Sequence, residues 1–112
     1  MTDTSDSEGH QRIAVDFDKT LSAADGGTYF TDRPTLPNKD MIEWVNRQYR
    51  SGHTIIIWTA RPWSEAGQTA AKLTEWGVRW HGMICEKGSA DIYVDDKATT
   101  PDQVVEDSEE VA

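Results

Sequence analysis

Two pairs of aspartates follow short apolar stretches of this chain. Asp16 and Asp18 end the stretch "IAVDFD", and Asp95 and Asp96 end "IYVDD". In an extended backbone, residues two apart point the same way, so Asp16 and Asp18 can face one site while Phe17 turns into the core. Two like charges about 5 Å apart repel by about 3 kcal/mol at an effective dielectric constant near 20. If the two pairs meet, a positive charge must lie among them.

A divalent metal ion is the first candidate for that charge. Sites made only of oxygen ligands favour hard cations, and Mg²⁺ takes one or two carboxylates while it keeps several waters. We therefore predict Mg²⁺ as the cofactor, held among Asp16, Asp18, Asp95 and Asp96. The alternative is that these residues cap helices or close turns at strand ends, as single aspartates commonly do.

The elements that must position these residues alternate between strand and helix. The pattern predicts strands at residues 13–17, 54–58, 80–85 and 91–94. It predicts three helices, one from the N-cap Asn38 to a stop at Gly52, one from the N-cap Ser64 to Gly77, and a short one after the capping box at residues 100–103. Such alternation is typical of a parallel sheet with helices on its faces, where ligands bind beyond the carboxyl ends of the strands.

A loop and a third polar residue complete this picture. Residues 22–37 are rich in Gly, Pro and Asp, and residues 28–31 are expected to form one arm of a small hairpin within that loop. Thr59 directly follows the second predicted strand, so it lies at the same edge of the sheet as the aspartates.

Four features in order resemble the motifs of the haloacid dehalogenase (HAD) superfamily of phosphohydrolases. They are "VDFDKTL", "IIIWT", Lys87 and "IYVDD", and they span about residues 13–97. The resemblance implies a Rossmann-like three-layer α/β/α sandwich with a mostly parallel sheet. Core helices fill the gaps between the motifs, so we expect no cap domain. The predicted organisation is one catalytic domain at residues 12–106 between acidic tails at 1–11 and 107–112.

The resemblance also implies an activity and roles for individual residues. The chain would be a Mg²⁺-dependent phosphatase that hydrolyses phosphomonoesters, with Asp16 as the nucleophile that becomes an aspartyl phosphate. Asp18 would act as general acid and then as general base. Thr59 would donate its hydroxyl to a phosphoryl oxygen, and Lys87 would neutralise charge on the transferring group.

The metal ligands and one departure from the family pattern follow from the same resemblance. Asp16, Asp96 and the backbone carbonyl of Asp18 would bind Mg²⁺, with Asp95 either a ligand or a partner behind the ligands. Many family members have glycine where this chain has Lys19. Lys72 and Lys97 are alternatives to Lys87, but Lys87 lies just before the last predicted strand and fits the pattern best.

Other polar and aromatic residues near these motifs have two interpretations each. Arg61 is a candidate substrate contact because its planar fork suits oxyanions, or else a structural arginine. Trp63 could stack on a base or sugar, or else fill the core. The remaining tryptophans are predicted to pack in the core: Trp44, Trp58, Trp76 and Trp80.

Composition narrows the class of protein. The net charge is −9, but eight of the 20 acidic residues lie in residues 1–11 and 101–112, which leaves 12 against all 11 basic residues between them. This balance excludes a non-specific nucleic-acid patch. No apolar run is long enough to span a bilayer and no signal peptide is seen. Cys85 is the one cysteine, which favours a cytoplasmic location, and with His81 it makes too few ligands for zinc.

Two other functional classes match part of the pattern. A phospho-accepting receiver domain shares the length, the magnesium, the aspartates, a Thr and a Lys, but its acid pair comes first and its phosphorylated aspartate later. A non-catalytic metal- or phosphate-binding module would have lost the nucleophile, and Asp16 is present. We expect a substrate that is a small-molecule phosphomonoester or a nucleic-acid phosphate end, and the oligomeric state stays open.

Overall fold

Among the residues that the structure describes, three short parallel strands form a sheet. The computed structural model describes residues 9–27, 31, 33–88, 90–92 and 94–111, with the backbone alone for 109–111. Strand β1 spans Arg12–Val15, β2 spans Thr54–Trp58 and β3 spans Gly82–Ile84. Their order is β1-β2-β3, with Val15 opposite Ile57 and Trp58 opposite Ile84. The predicted α/β class with a parallel sheet is confirmed, and the carboxyl ends of all three strands lie at one edge.

In the described part of the chain three α-helices accompany the sheet: α1 at Lys39–Arg50, α2 at Ala66–Glu75 and α3 at Pro101–Val111. The Asn38 side chain accepts a hydrogen bond from the Met41 N–H, which confirms the predicted N-cap. Thr100 accepts from the Gln103 N–H at 3.2 Å in the same way before α3. Helix α3 continues to Val111, through most of the stretch expected to be an acidic tail.

The predicted start of α2 is wrong. Ser64 lies inside a single 3₁₀ turn at Trp63–Glu65, and Glu65, which precedes α2, makes no side-chain capping bond. The turn continues directly into the helix, because the Ala66 N–H donates to the Trp63 carbonyl. The predicted stop at Gly77 is confirmed, since its φ of 72° is left-handed and suits a residue without a Cβ.

The core lies between one face of the sheet and the helices. Val15, Ile55 and Ile57 point into it and meet Val45 of α1 and Leu73 of α2, all of them buried. Residues that alternate with these, such as Ala14 and Trp58, are exposed. The packing predicted for the tryptophans therefore holds for Trp44, Trp76 and Trp80 but not for Trp58.

The predicted fourth strand is not formed. Residues 91, 92 and 94 are outside any strand, and Ile92 and Val94 are 77% and 94% exposed, while residue 93 lies outside the described residues. The Asp95 carboxylate instead accepts from the Lys97 N–H at 2.8 Å and closes a local turn. Such side-chain-to-backbone bonds compete with strand pairing, and composition alone does not decide the competition.

The loop between β1 and α1 is pinned at its base. Ser22 pairs with Pro37 in an antiparallel bridge, and the Ala23 N–H donates to the Leu36 carbonyl at 2.7 Å. Further out, the Gly27 N–H donates to the Pro34 carbonyl at 2.8 Å. Of the predicted hairpin arm at residues 28–31, residues 28–30 lie outside the described residues.

Gly27→Ala is expected to destabilise the protein by about 2 kcal/mol, the usual range for forced overpacking. A Cβ at Gly27 would lie 2.0 Å from the Arg33 carbonyl oxygen, and because the clash is with backbone it leaves little room to relax. The measurement is the free energy of unfolding from urea denaturation. Gly67→Ala is the matched control, because nothing lies within 4 Å of its new Cβ in α2 and a gain of about 0.5–1 kcal/mol is expected. Equal effects of the two changes would contradict the prediction.

Within the ranges that the structure describes, none of the helices has the length and apolar character needed to cross a bilayer.

Candidate functional site

Asp16 lies one residue beyond β1, at the carboxyl edge of the sheet. Its Oδ1 accepts a hydrogen bond from the Phe17 N–H at 2.8 Å. The Lys87 Nζ lies 3.4 Å from the same oxygen, with the Asp16 side chain 36% exposed and the Lys87 side chain 11%. Burial raises the pKa of Asp16 above its ordinary value, although Lys87 and the Phe17 N–H act against that rise. The carboxylate is therefore partly desolvated yet open on one side.

A tight turn at Phe17–Leu21 carries the chain away from Asp16. The Ser22 N–H donates to the Phe17 carbonyl at 2.9 Å, and Phe17 and Leu21 are buried. Lys19 has a left-handed φ of 63°, and its N–H donates to the Ser22 hydroxyl at 2.8 Å. The left-handed region favours glycine, so Lys19 adopts a backbone conformation that is unusual for a residue with a Cβ. The Lys19 side chain is exposed.

Asp18 is held by Arg61 in a two-bonded ion pair. The Arg61 Nε lies 2.8 Å from Asp18 Oδ2, and a terminal nitrogen of Arg61 lies 2.8 Å from Oδ1. The other terminal nitrogen donates to the Thr69 hydroxyl at 3.1 Å, and the guanidinium lies 4.5 Å from the centre of the Phe17 ring. Arg61 is 5% exposed. Its contacts therefore show a structural arginine, the second of the two interpretations given above.

Thr59 anchors the segment that carries Arg61. The Thr59 N–H donates to the Ile84 carbonyl at 2.9 Å, and its hydroxyl accepts from the Arg61 N–H at 3.1 Å. This short turn follows β2 and points the guanidinium back toward the end of β1. Thr59 itself is fully buried.

Lys87 reaches Asp16 because the backbone after β3 is bonded to the backbone after β2. The Glu86 N–H donates to the Arg61 carbonyl at 2.8 Å, and the Lys87 N–H donates to the Thr59 carbonyl at 3.1 Å. Glu86 takes a left-handed φ of 59° to make this bend. The ammonium group also lies 5.0 Å from the centre of the Trp58 ring.

The two alternative lysines lie elsewhere. Lys72 is on α2 and pairs with Glu75 at 3.4 Å. Lys97 is exposed in the turn closed by Asp95. Of the three candidates, the structure brings Lys87 to Asp16.

The structure does not bring the four predicted carboxylates together. Among the described residues, no group of three or more His, Cys, Asp or Glu side chains could hold a metal ion. Asp95 and Asp96 are exposed, and the Lys97 N–H, Asp96 and the Lys97 charge lower the pKa of Asp95. For Asp95 the structure thus shows the turn-closing role that was the alternative interpretation. The positive charges that the first aspartate pair requires come from the protein, as Lys87 on Asp16 and Arg61 on Asp18.

Two supporting contacts escaped the sequence analysis. Trp76, at the end of α2, stacks on Phe17 with ring centres 5.6 Å apart and planes 2° from parallel. Thr69 is fully buried beneath the Arg61 guanidinium. The sequence offered one signal for the Thr69 contact. A threonine on the apolar face of a predicted helix indicates a polar partner, because a buried hydroxyl needs one.

His81 and Cys85 have separate structural places. The His81 Nδ1 accepts from the Ile55 N–H at 3.0 Å, and its ring stacks on Tyr49. Cys85 is buried, and burial together with the Glu86 charge raises the pKa of its thiol. Each of the two residues therefore has structural contacts of its own.

Comparison with known proteins adds support at the level of the fold. No protein-family model matches the chain, and no curated protein matches it. Among solved structures, the chain is similar to a structural-genomics target from Vibrio cholerae. The two are 23% identical, with 90% of this chain and 95% of that chain covered and a TM-score of 0.68. At this identity the likeness shows a shared α/β fold and nothing about activity.

The raised pKa of Asp16 predicts a pH dependence of stability. Because the folded state binds this proton more tightly than the unfolded state, the stabilising contribution is fully present below pH 3.8 and is lost as pH rises through the folded pKa. The free energy of unfolding of the wild type, relative to Asp16→Asn, should therefore rise as pH falls from 7 to below 4. Urea denaturation of both proteins in a chelator measures it. A difference that stays constant or moves the other way would refute the assignment.

Proposed function

We propose that this chain is a phosphatase of the HAD type that hydrolyses phosphomonoesters through an aspartyl phosphate on Asp16. The observation that carries the proposal is the pairing of Asp16 with Lys87 at the carboxyl edge of the sheet, 3.4 Å apart, with Asp18 held two residues further on. A nucleophile, a cation beside it and a second carboxylate are the groups that this reaction needs.

The contacts of Asp16 indicate which oxygen attacks. Both bonds that this carboxylate makes with described residues involve Oδ1, one from the Phe17 N–H and one from Lys87. Oδ2 would form the bond to phosphorus while the bond from phosphorus to the leaving alkoxide breaks. Water then attacks phosphorus, the bond to Oδ2 breaks, and inorganic phosphate leaves. Lys87 would offset the negative charge of the nucleophile and of the phosphoryl group throughout.

Asp18 would move the protons in both steps. It would give a proton to the leaving alkoxide in the first step and take one from the attacking water in the second. Arg61 fixes the plane of this carboxylate through two bonds of 2.8 Å. The substrate-binding role predicted for Arg61 thereby becomes a positioning role, because its guanidinium already contacts Asp18 and Thr69. The phosphoryl contact predicted for Thr59 does not fit its full burial, so Thr59 would act by positioning Arg61, through the bond from the Arg61 N–H to its hydroxyl.

Mg²⁺ stays part of the proposal because carboxylate and phosphate oxygens are the ligands that it prefers. The several-carboxylate site is not assembled by the described residues, but Mg²⁺ is commonly held by one or two carboxylates together with substrate phosphate oxygens and waters. Asp16 offers one such carboxylate and Asp96 stays a predicted ligand, whereas Asp95 closes the local turn with the Lys97 N–H. A bound Mg²⁺ would supply charge neutralisation at the phosphoryl oxygens.

The arrangement of layers, the substrate class and the cellular location belong to the same proposal. We propose a three-layer sandwich without a cap domain. The parallel sheet and the similarity to a solved α/β structure support it. The substrate would be a phosphorylated metabolite or a nucleic-acid end, and the single cysteine supports a cytoplasmic setting.

Release of phosphate from p-nitrophenyl phosphate, with MgCl₂ or with a chelator, tests the proposal. We expect turnover that requires Mg²⁺. Beryllofluoride, a mimic of the phosphoryl group, should attach to the Asp16 carboxylate in a crystal structure. Attachment at Asp95 or Asp96 would instead favour a receiver-like signalling site, and a protein that neither turns over substrate nor takes up beryllofluoride would not be this enzyme.

A further inference from the structure

A small cationic cavity lies beside the candidate active site. Its volume is about 220 Å³, and its lining includes the basic residues Arg33, Arg61 and Lys72 together with the neutral hydrogen-bonding residues Thr35 and Gln68. No carboxylate is among the described residues that line it. The cavity therefore offers charge and hydrogen-bond donors to an anion.

The charge of Arg33 is not balanced by a carboxylate within the described part of the chain. Its guanidinium donates to the carbonyl oxygens of Asp25 at 3.3 Å and Gly26 at 3.4 Å, which hold the side chain in place without neutralising it. Lys72 pairs with Glu75 at 3.4 Å, but their side chains are 36% and 65% exposed, and such surface pairs are weak and easily exchanged. Arg61 alone is paired in full, through Asp18.

The cavity shares two residues with the candidate active site. Phe17 lines it and is the residue directly after Asp16, and Arg61 lines it while holding Asp18. Neither Asp16 nor Asp18 lines the cavity. A ligand with one phosphate at Asp16 must therefore extend past Asp18 to place a second group among the basic side chains. Arginine and lysine beside neutral donors are the usual partners of phosphate oxygens.

We propose that this cavity is a second anion subsite, which takes a second phosphate group carried by the same substrate. This deepens the proposed function and rests on it, because it names the substrate class as bisphosphorylated phosphomonoesters. Two kinds of substrate carry such a second phosphate: a bisphosphorylated sugar, and a nucleoside phosphorylated at both its 3′ and 5′ positions. The loop residues Thr35 and Arg33 then act in substrate choice, which a site without a cap otherwise lacks.

Matched substrate pairs test the subsite and separate the two sources. The pairs are fructose 1,6-bisphosphate against fructose 1-phosphate, and thymidine 3′,5′-bisphosphate against thymidine 5′-monophosphate. In at least one pair we expect the KM of the bisphosphate to be lower by about tenfold, the scale of one added charged contact. Equal KM values within both pairs would overturn the proposal.

Charge-removing variants locate the effect. Lys72→Met and Arg33→Met should each raise the KM of the preferred bisphosphate by about fivefold, in line with the loss of one partly exposed contact, and leave that of the monophosphate unchanged. Lys39→Met is the matched control, because Lys39 is exposed at the start of α1 and does not line this cavity. If Lys39→Met raises the KM of the bisphosphate as much as the other two changes do, the positive charge of the whole surface and not a subsite sets that KM, and the proposal is wrong.

A binding experiment separates failure of the subsite from failure of the proposed function. Calorimetric titration of the same bisphosphates into the Asp16→Asn protein requires no turnover. Binding that weakens in Lys72→Met/Asp16→Asn, and not in Lys39→Met/Asp16→Asn, supports the subsite even if p-nitrophenyl phosphate is never hydrolysed. Absence of binding, or binding that is equal in all these variants, overturns the subsite and leaves the hydrolase proposal to its own test.

Discussion

Asp16→Asn is expected to lower the rate of phosphate release by at least about 10³-fold, the scale seen when a nucleophile is removed. Asparagine is nearly the same shape and its Oδ1 still accepts from the Phe17 N–H, the bond that Asp16 makes at 2.8 Å. It lacks the negative oxygen that would attack phosphorus. The fold should therefore remain while the chemistry stops. Initial rates with p-nitrophenyl phosphate and circular dichroism of the same samples measure the two quantities.

The matched control for that loss is Asp107→Asn. Asp107 is exposed on α3, next to Ser108, whose hydroxyl accepts from Arg47 in the last turn of α1. That end of α1 leads into the start of β2, at the edge of the sheet opposite to Asp16. Asp107→Asn loses the same charge in the same substitution, so its rate should stay within about twofold of the wild type, because a distant surface charge is screened. Retention of activity by Asp16→Asn would remove Asp16 from the nucleophile's role.

Arg61→Met is expected to destabilise the fold by about 3 kcal/mol, the lower end of the range for breaking a buried ion pair. The side chains of Arg61 and Asp18 are 6% and 24% exposed, so removal of the guanidinium leaves a carboxylate with little access to water. It also removes the bond to Thr69 and the contact with the Phe17 ring. Urea denaturation gives the free energy of unfolding, and an unchanged m-value would show that two-state unfolding is preserved.

Two further variants identify the cause of this loss. In Asp18→Asn/Arg61→Met the buried charge is gone, so part of the stability lost in Arg61→Met should return, and the coupling in the double-mutant cycle should be about 2 kcal/mol. Arg47→Met is the surface comparison, because Arg47 pairs with the exposed Glu43, and a loss below about 1 kcal/mol is expected. An Arg61→Met protein as stable as Arg47→Met would show that the Asp18 pair does not support the fold.

Much of the local structure could be predicted because it depends on short-range chemistry. Asn38 caps α1 through its own side chain, and Gly52 ends the following turn with a φ of 96°. The apolar runs that became β1 and β2 pair in parallel as their alternation with helices implies. The wrong prediction that Ser64 caps α2 also concerns short-range structure. A 3₁₀ turn continues directly into α2, so no N-cap side chain is needed.

The site was predicted in part. The sequence placed Asp16, Asp18 and Thr59 at one edge of the sheet, and it favoured Lys87 over Lys72 and Lys97. It also showed that neighbouring carboxylates require a positive charge. It did not show that Arg61 would meet that requirement at Asp18, because the two are 43 positions apart and their bond depends on how the turn after β2 is folded.

By itself, then, the sequence determined the periodicity of the chain, the caps and stops of α1, and the presence of acids beyond the first strand. Those features depend on residues close together in the chain. Only the tertiary structure decided which charges face each other and whether the segment at residues 91–94 pairs with the sheet. There the Asp95 carboxylate bonds to the Lys97 N–H and Ile92 stays exposed. Which charges meet, and whether a strand pairs, depends on contacts between residues far apart in the chain. The difference in free energy between strand pairing and a local turn closed by a side chain is too small to be read from composition.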